Sequence, residues 1–120
     1  MGRPTLKMTN KKWSATALLF SGRQNPEWVL TPVQQKNWEE CWQMAVPSNT
    51  EIEFPSRLGY AGCILHYDEQ SYWQLYNGNV LFNDNGKKIF KKDDERKMEF
   101  FLLYTAPAEV KKILKEQGIL

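Results

Sequence analysis

The chain has 120 residues, with 16 Lys and Arg against 14 Asp and Glu, a net charge of +2 and a 42% hydrophobic composition. That length and balance fit one globular domain able to bury its own core. So small a charge does not by itself imply nucleic acid or membrane as a partner, and clustering would have to supply that argument. Two cysteines, Cys41 and Cys63, make no disulfide framework.

Residues 1–11 carry Arg3, Lys7 and Lys11 with little apolar content and read as a basic flexible tail, leaving 12–120 as a single domain. Lys11 to Gly22 mimics a leader, but its apolar core of only about eight residues is broken by Ser14 and Thr16. It is read instead as a first strand over residues 13–20, in a soluble cytoplasmic protein with no membrane association. No apolar run approaches the ~20 residues of a membrane span.

Ser21-Gly22 and Asn25-Pro26 supply a turn. Thr31 then caps a helix, with Pro32 at its first position and Gln34 completing a capping box. The helix runs to about Ala45, with Trp38, Cys41, Trp42 and Ala45 on one stripe, and Pro47-Ser48-Asn49 ends it.

Residues 60–67, 72–76 and 79–83 read as three strands, and Asn77-Gly78 between the last two is a strong hairpin signal. It pairs Leu75 with Val80, Trp73 with Phe82 and Gln74 with Leu81. Asn85-Gly86 predicts a further hairpin pairing Phe82 with Ile89 and Leu81 with Phe90. A four-residue loop at 68–71 would set Tyr67 opposite Tyr72 and His66 opposite Trp73.

Alternation then sorts the meander into two faces. Ile64, His66, Trp73, Leu75, Val80, Phe82 and Ile89 form the expected core face. Cys63, Leu65, Tyr67, Tyr72, Gln74, Tyr76, Leu81, Lys88, Phe90 and Lys92 form the other.

Asp93 caps a helix opening at Asp94-Glu95, Pro107 opens a second, and Gly118 stops it. The order indicates an α+β fold: an antiparallel β-meander with one helix after the first strand and two C-terminal helices packed on the sheet.

Catalytic chemistry finds little footing. Cys63 and His66, an odd number of positions apart on one strand, point to opposite faces. His66 is read as a structural histidine and Cys41 as a small core residue. Two Cys and one His lack zinc spacing. Asn83-Asp84-Asn85-Gly86 is a turn, because aligning Gly86 as the calcium-loop glycine puts Leu81 at the first ligand position. No glycine-rich phosphate loop exists, and the neighbouring acids Glu39-Glu40, Asp68-Glu69 and Asp93-Asp94-Glu95 look solvated or capping. No metal or cofactor is expected.

Ser21-Gly22-Arg23-x-Asn25-Pro26-x-Trp28 is similar to a motif of small uncharacterised single-domain proteins. The resemblance covers this short stretch and implies no activity and no functional residue. Within it, Arg23 and Gln24 have no evident structural duty.

The expected function is that of a non-enzymatic protein- or peptide-interaction domain, using Arg23, Gln24, Trp28, Tyr67, Tyr72 and Tyr76, the side-chain types that carry interface energy. The competing reading has helices covering the tyrosine face. An alternative is single-stranded nucleic-acid binding through Lys88, Phe90 and Lys92, with the basic tail. Against it, Lys87-Lys88-Ile89-Phe90-Lys91-Lys92 also reads as a lysine-protected edge strand, and a glycine- and aromatic-rich RNA-recognition segment is missing. A second alternative is a small enzyme or anion binder using Arg23 as a clamp.

Overall fold

The computed structural model describes residues 12–19, 24–49, 51 and 59–120. Ser14–Ala17 (β1) and Glu27–Val29 (β2) precede helix Pro32–Met44 (α1) and the short strand Val46–Pro47 (β3). The strands Cys63–His66 (β4), Ser71–Tyr76 (β5), Asn79–Asp84 (β6) and Lys87–Lys92 (β7) follow. Helices Lys97–Tyr104 (α2) and Ala108–Glu116 (α3) close the chain. All seven strands join one antiparallel sheet in the order β2-β1-β4-β5-β6-β7-β3, so the fold is α+β as expected.

The two tight hairpins form where the sequence places them. Asn77 and Gly78 take φ of 52° and 91°, and Asn85 and Gly86 take 54° and 92°. Positive φ at both central residues matches the turn to the right-handed twist of the flanking strands, which is why Asn-Gly specifies it. Leu75 pairs with Val80, Trp73 with Phe82, and Leu81 with Phe90, as expected. The capping box of α1 also forms. The Thr31 hydroxyl accepts from the Gln34 amide at 3.2 Å, and the Gln34 side chain accepts from the Thr31 amide at 2.9 Å.

The β4–β5 register differs from expectation. His66 lies opposite Tyr72 and Leu65 opposite Trp73. The connection is residues 67–70, shifted by one from the expected 68–71 loop. The Tyr67 and Asp68 amides both donate to the Ser71 carbonyl, and Asp68 Oδ1 accepts from the Gln70 amide at 2.8 Å. A shift of one residue sends every side chain of β4 to the other face. Cys63 and Leu65 therefore join the core, while Ile64 and His66 leave it. The slip favours burial, since it puts Leu65 at 0% exposure where the imidazole was expected.

The core occupies one side of the sheet. All three helices contribute to it, through Trp38 and Trp42 of α1, Met98, Leu102 and Leu103 of α2, and Val110 and Leu114 of α3. Trp73 is its centre, with ring centroids 4.6 Å from Phe82, 5.5 Å from Trp13 and 5.7 Å from Trp38. All five tryptophans are buried there. Aromatic rings supply much apolar area per residue, which suits a core this small.

β2 and β3 were not anticipated, being three and two residues long. They sit at the two edges, where short strands and Pro47 limit pairing with other chains. The helix expected at Asp94 begins later. A 3-10 turn, Asp94–Arg96, intervenes, with Glu95 and Arg96 at φ of 56° and 59°. Asp93 reaches past it, its two carboxylate oxygens accepting from the Met98 and Glu99 amides at 2.7 and 2.9 Å.

Candidate functional site: an aromatic and basic sheet face

With the helices gathered on one side, the opposite face of the sheet carries none of them among the described residues. The ladders define what that face presents. One row runs Thr16, Ile64, Gln74, Leu81, Phe90, and the next runs Ser14, His66, Tyr72, Asn83, Lys88. A third holds Tyr76, Asn79 and Lys92. Leu81 is only 5% exposed, yet it stands apart from the helix-covered core and marks the middle of this second face.

Neighbours hold the rings in place. Asn83 Nδ2 donates to the Tyr72 hydroxyl at 3.3 Å, while Asn83 Oδ1 accepts from the Gly86 amide at 2.8 Å, tying Tyr72 to the β6–β7 turn. The His66 ring lies 6.3 Å from that of Tyr72, and the Tyr60 ring lies 6.3 Å from that of Tyr76. Tyr72, Tyr76 and Phe90 are half-buried, and Lys88 and Lys92 are exposed. From β4 to β7 this face carries no carboxylate. Glu27, which accepts from the Thr16 hydroxyl at 3.5 Å, belongs to the far edge strand β2.

The structure thus gathers Tyr72, Tyr76, Lys88, Phe90 and Lys92, and it separates Tyr67 and Trp28 from them. Tyr67 goes to the core side, its ring 5.3 Å from Trp13 and 6.2 Å from Trp73. Trp28 is buried, and its Nε1 donates to Thr105 Oγ1 at 2.8 Å. Gln24 is exposed in the β1–β2 connection. Arg23 and the basic tail lie outside the described residues. The described part of the motif has structural duties. Asn25 Oδ1 accepts from the Leu19 amide at 2.9 Å, and the Pro26 carbonyl accepts from the Ala17 amide at 3.2 Å.

The lysine strand divides as alternation requires. Lys91 turns to the core side, where its Nζ donates to the Trp42 carbonyl at 2.7 Å and lies 4.2 Å from the Trp42 ring centroid. It neutralises the C-terminal end of α1, which has no basic residue in its last turn. Burial lowers the Lys91 pKa.

No family model, curated protein or solved structure matches the chain.

A second constellation lies at the foot of α2. Glu99 is 0% exposed, and both of its oxygens are occupied. Oε1 accepts from the Asn77 amide at 2.9 Å and Arg96 Nε at 3.2 Å. Oε2 accepts from Arg96 Nη2 at 2.9 Å and from the Tyr60 hydroxyl. Burial raises the pKa of Tyr60 and of the neighbouring Cys63, and it also raises that of Asp93. This arrangement joins α2 to the β5–β6 turn and leaves no lone pair for a substrate. The sequence reading identified no desolvated acid, and Glu99 is one. Its only sequence signal is an acid three positions after Arg96 beside a hydrophobic run.

Among the described residues no catalytic geometry is found elsewhere. Cys63 and His66 occupy opposite faces, and both cysteines are free thiols. Among the described residues no His, Cys, Asp and Glu cluster fits a metal, and no helix is long and apolar enough to cross a membrane.

Proposed function

We propose that this protein is a non-enzymatic binding domain whose ligand-contacting surface is the sheet face bearing Tyr72, Tyr76, Phe90, Lys88 and Lys92, which no described helix covers. One observation carries the reading. Three aromatic rings and two lysines share a face that no described helix covers, while all five tryptophans serve the opposite side. Rings held by neighbours offer contact area at low entropic cost, which suits recognition. The saturated Glu99 network and the separation of Cys63 from His66 support a non-enzymatic role. The free thiols of Cys41 and Cys63 support a reducing, cytoplasmic setting.

The test is retention from cell lysate by immobilised wild type and by a Tyr72→Ala/Tyr76→Ala variant shown to fold by near-ultraviolet circular dichroism. Proteins or nucleic acids held by the wild type and lost from the variant are expected. Equal retention by both would refute the reading.

A further inference from the structure

The geometry points to single-stranded nucleic acid as the ligand of this face, an inference that rests on the binding-surface reading above. Tyr72 and Tyr76 stand four residues apart on β5, hence about 13 Å along the strand. Phe90 lies two strands away, in the row of Gln74 midway between them. At strand spacings of about 4.8 Å that places it roughly 12 Å from each tyrosine. The three rings mark a triangle with Leu81 and Gln74 inside it.

Rings so spaced cannot stack on a duplex, whose bases are closed against one another about 3.4 Å apart and show only their edges. Single strands can splay successive bases onto separate aromatic side chains. Lys88 and Lys92 flank the rings at opposite ends of β7, and the absence of a carboxylate from β4 to β7 makes the surface complementary to a phosphate chain. The side amides of Gln74 and Asn79 offer donors and acceptors for base edges.

A peptide fits less well. Strand addition uses a sheet edge rather than a face, and β4 to β6, which carry most of this surface, are paired on both sides, the edges lying at β2, β3 and the Lys87–Ile89 part of β7 that β3 does not reach. The basic content of the face would also select an acidic peptide, whose carboxylates offer no ring to the three aromatic positions. The low net charge of the chain is compatible with a short site, since only two lysines need meet phosphates.

Fluorescence anisotropy with labelled 12-nucleotide oligo-dT and oligo-rU, against a duplex of equal length and a poly-glutamate peptide, tests this. Single strands are expected to bind at least tenfold more tightly than the duplex or the peptide. Tyr72→Ala and Phe90→Ala, each verified to fold, should each weaken binding about tenfold. Two phosphate contacts predict a log–log salt slope of about −1.4, so affinity should fall roughly sevenfold between 50 and 200 mM salt. Lys88→Ala should halve that slope. Absence of binding at 50 mM salt, tighter binding of duplex or peptide, or indifference to loss of the rings would each overturn the inference. If oligonucleotides fail while lysate retention still depends on Tyr72 and Tyr76, the face remains a binding surface and only its ligand class is wrong. If both fail, the surface reading falls as well.

Discussion

Replacing Glu99 by alanine separates a structural clamp from an ornamental surface pair. The side chain is 0% exposed and accepts four hydrogen bonds, two from Arg96, one from the Asn77 amide and one from the Tyr60 hydroxyl. Truncation strands the Asn77 and Tyr60 donors, at about 1–3 kcal/mol each when buried. Arg96 adds little, because its side chain is 35% exposed and can turn to water. The expected loss is therefore about 4 kcal/mol, out of a total stability of roughly 5–15 kcal/mol for a domain of this kind. Urea unfolding followed by tryptophan fluorescence should show the midpoint falling by about 2 M with an unchanged slope. Tyr60→Phe removes one donor and leaves Arg96 on the same oxygen, so it should cost only about 1 kcal/mol. A loss below about 1 kcal/mol for Glu99→Ala, or equal losses for the two variants, would refute the clamp.

Three further outcomes follow from the geometry. Gly62→Ala should prevent stable folding, because Gly62 has a φ of 98° and an added Cβ would lie 2.0 Å from the Leu75 carbonyl oxygen. Soluble yield and circular dichroism would show it. Lys91→Met should lose about 1 kcal/mol in urea unfolding through its carbonyl and ring contacts, whereas Lys88→Met should stay within about 0.5 kcal/mol of wild type. Burial holds the Asp93 carboxyl above its ordinary value of 3.8, so the folded state binds more protons than the unfolded. That contribution is full below 3.8 and is lost as pH rises through the folded value, so the stability of wild type relative to Asp93→Asn should decline across that window. A flat difference in unfolding midpoints over the same range would contradict it.

The sequence was most legible where backbone chemistry leaves one choice. Asn77-Gly78 and Asn85-Gly86 dictate turn type and hence the register of β5, β6 and β7, and with it the shared face of Tyr72, Tyr76, Lys88, Phe90 and Lys92. Thr31 with Gln34 likewise dictates the start of α1. The β4–β5 connection offers no such constraint. Asp68-Glu69-Gln70-Ser71 accommodates either register, and burial of Leu65 in place of His66 decided between them. That single residue of slack moved Tyr67 out of the candidate site. β2 and β3 are too short for any period to show. Glu99 was missed because its partners, Tyr60 and Asn77, come from distant parts of the chain, and because Arg96 reaches it from a left-handed conformation no local rule anticipates.

The alternation of β7 has an evolutionary consequence. Lys91 serves the end of α1, while Lys88 and Lys92 look toward the opposite face, where the ligand is proposed to dock. On the proposed binding role, a single run of like residues is thus under two selections, one exerted by folding and one by the ligand. Descendants of this chain that change ligand can replace Lys88 or Lys92 freely and still fold. Those that replace Lys91 must first find another way to satisfy the helix end at Trp42.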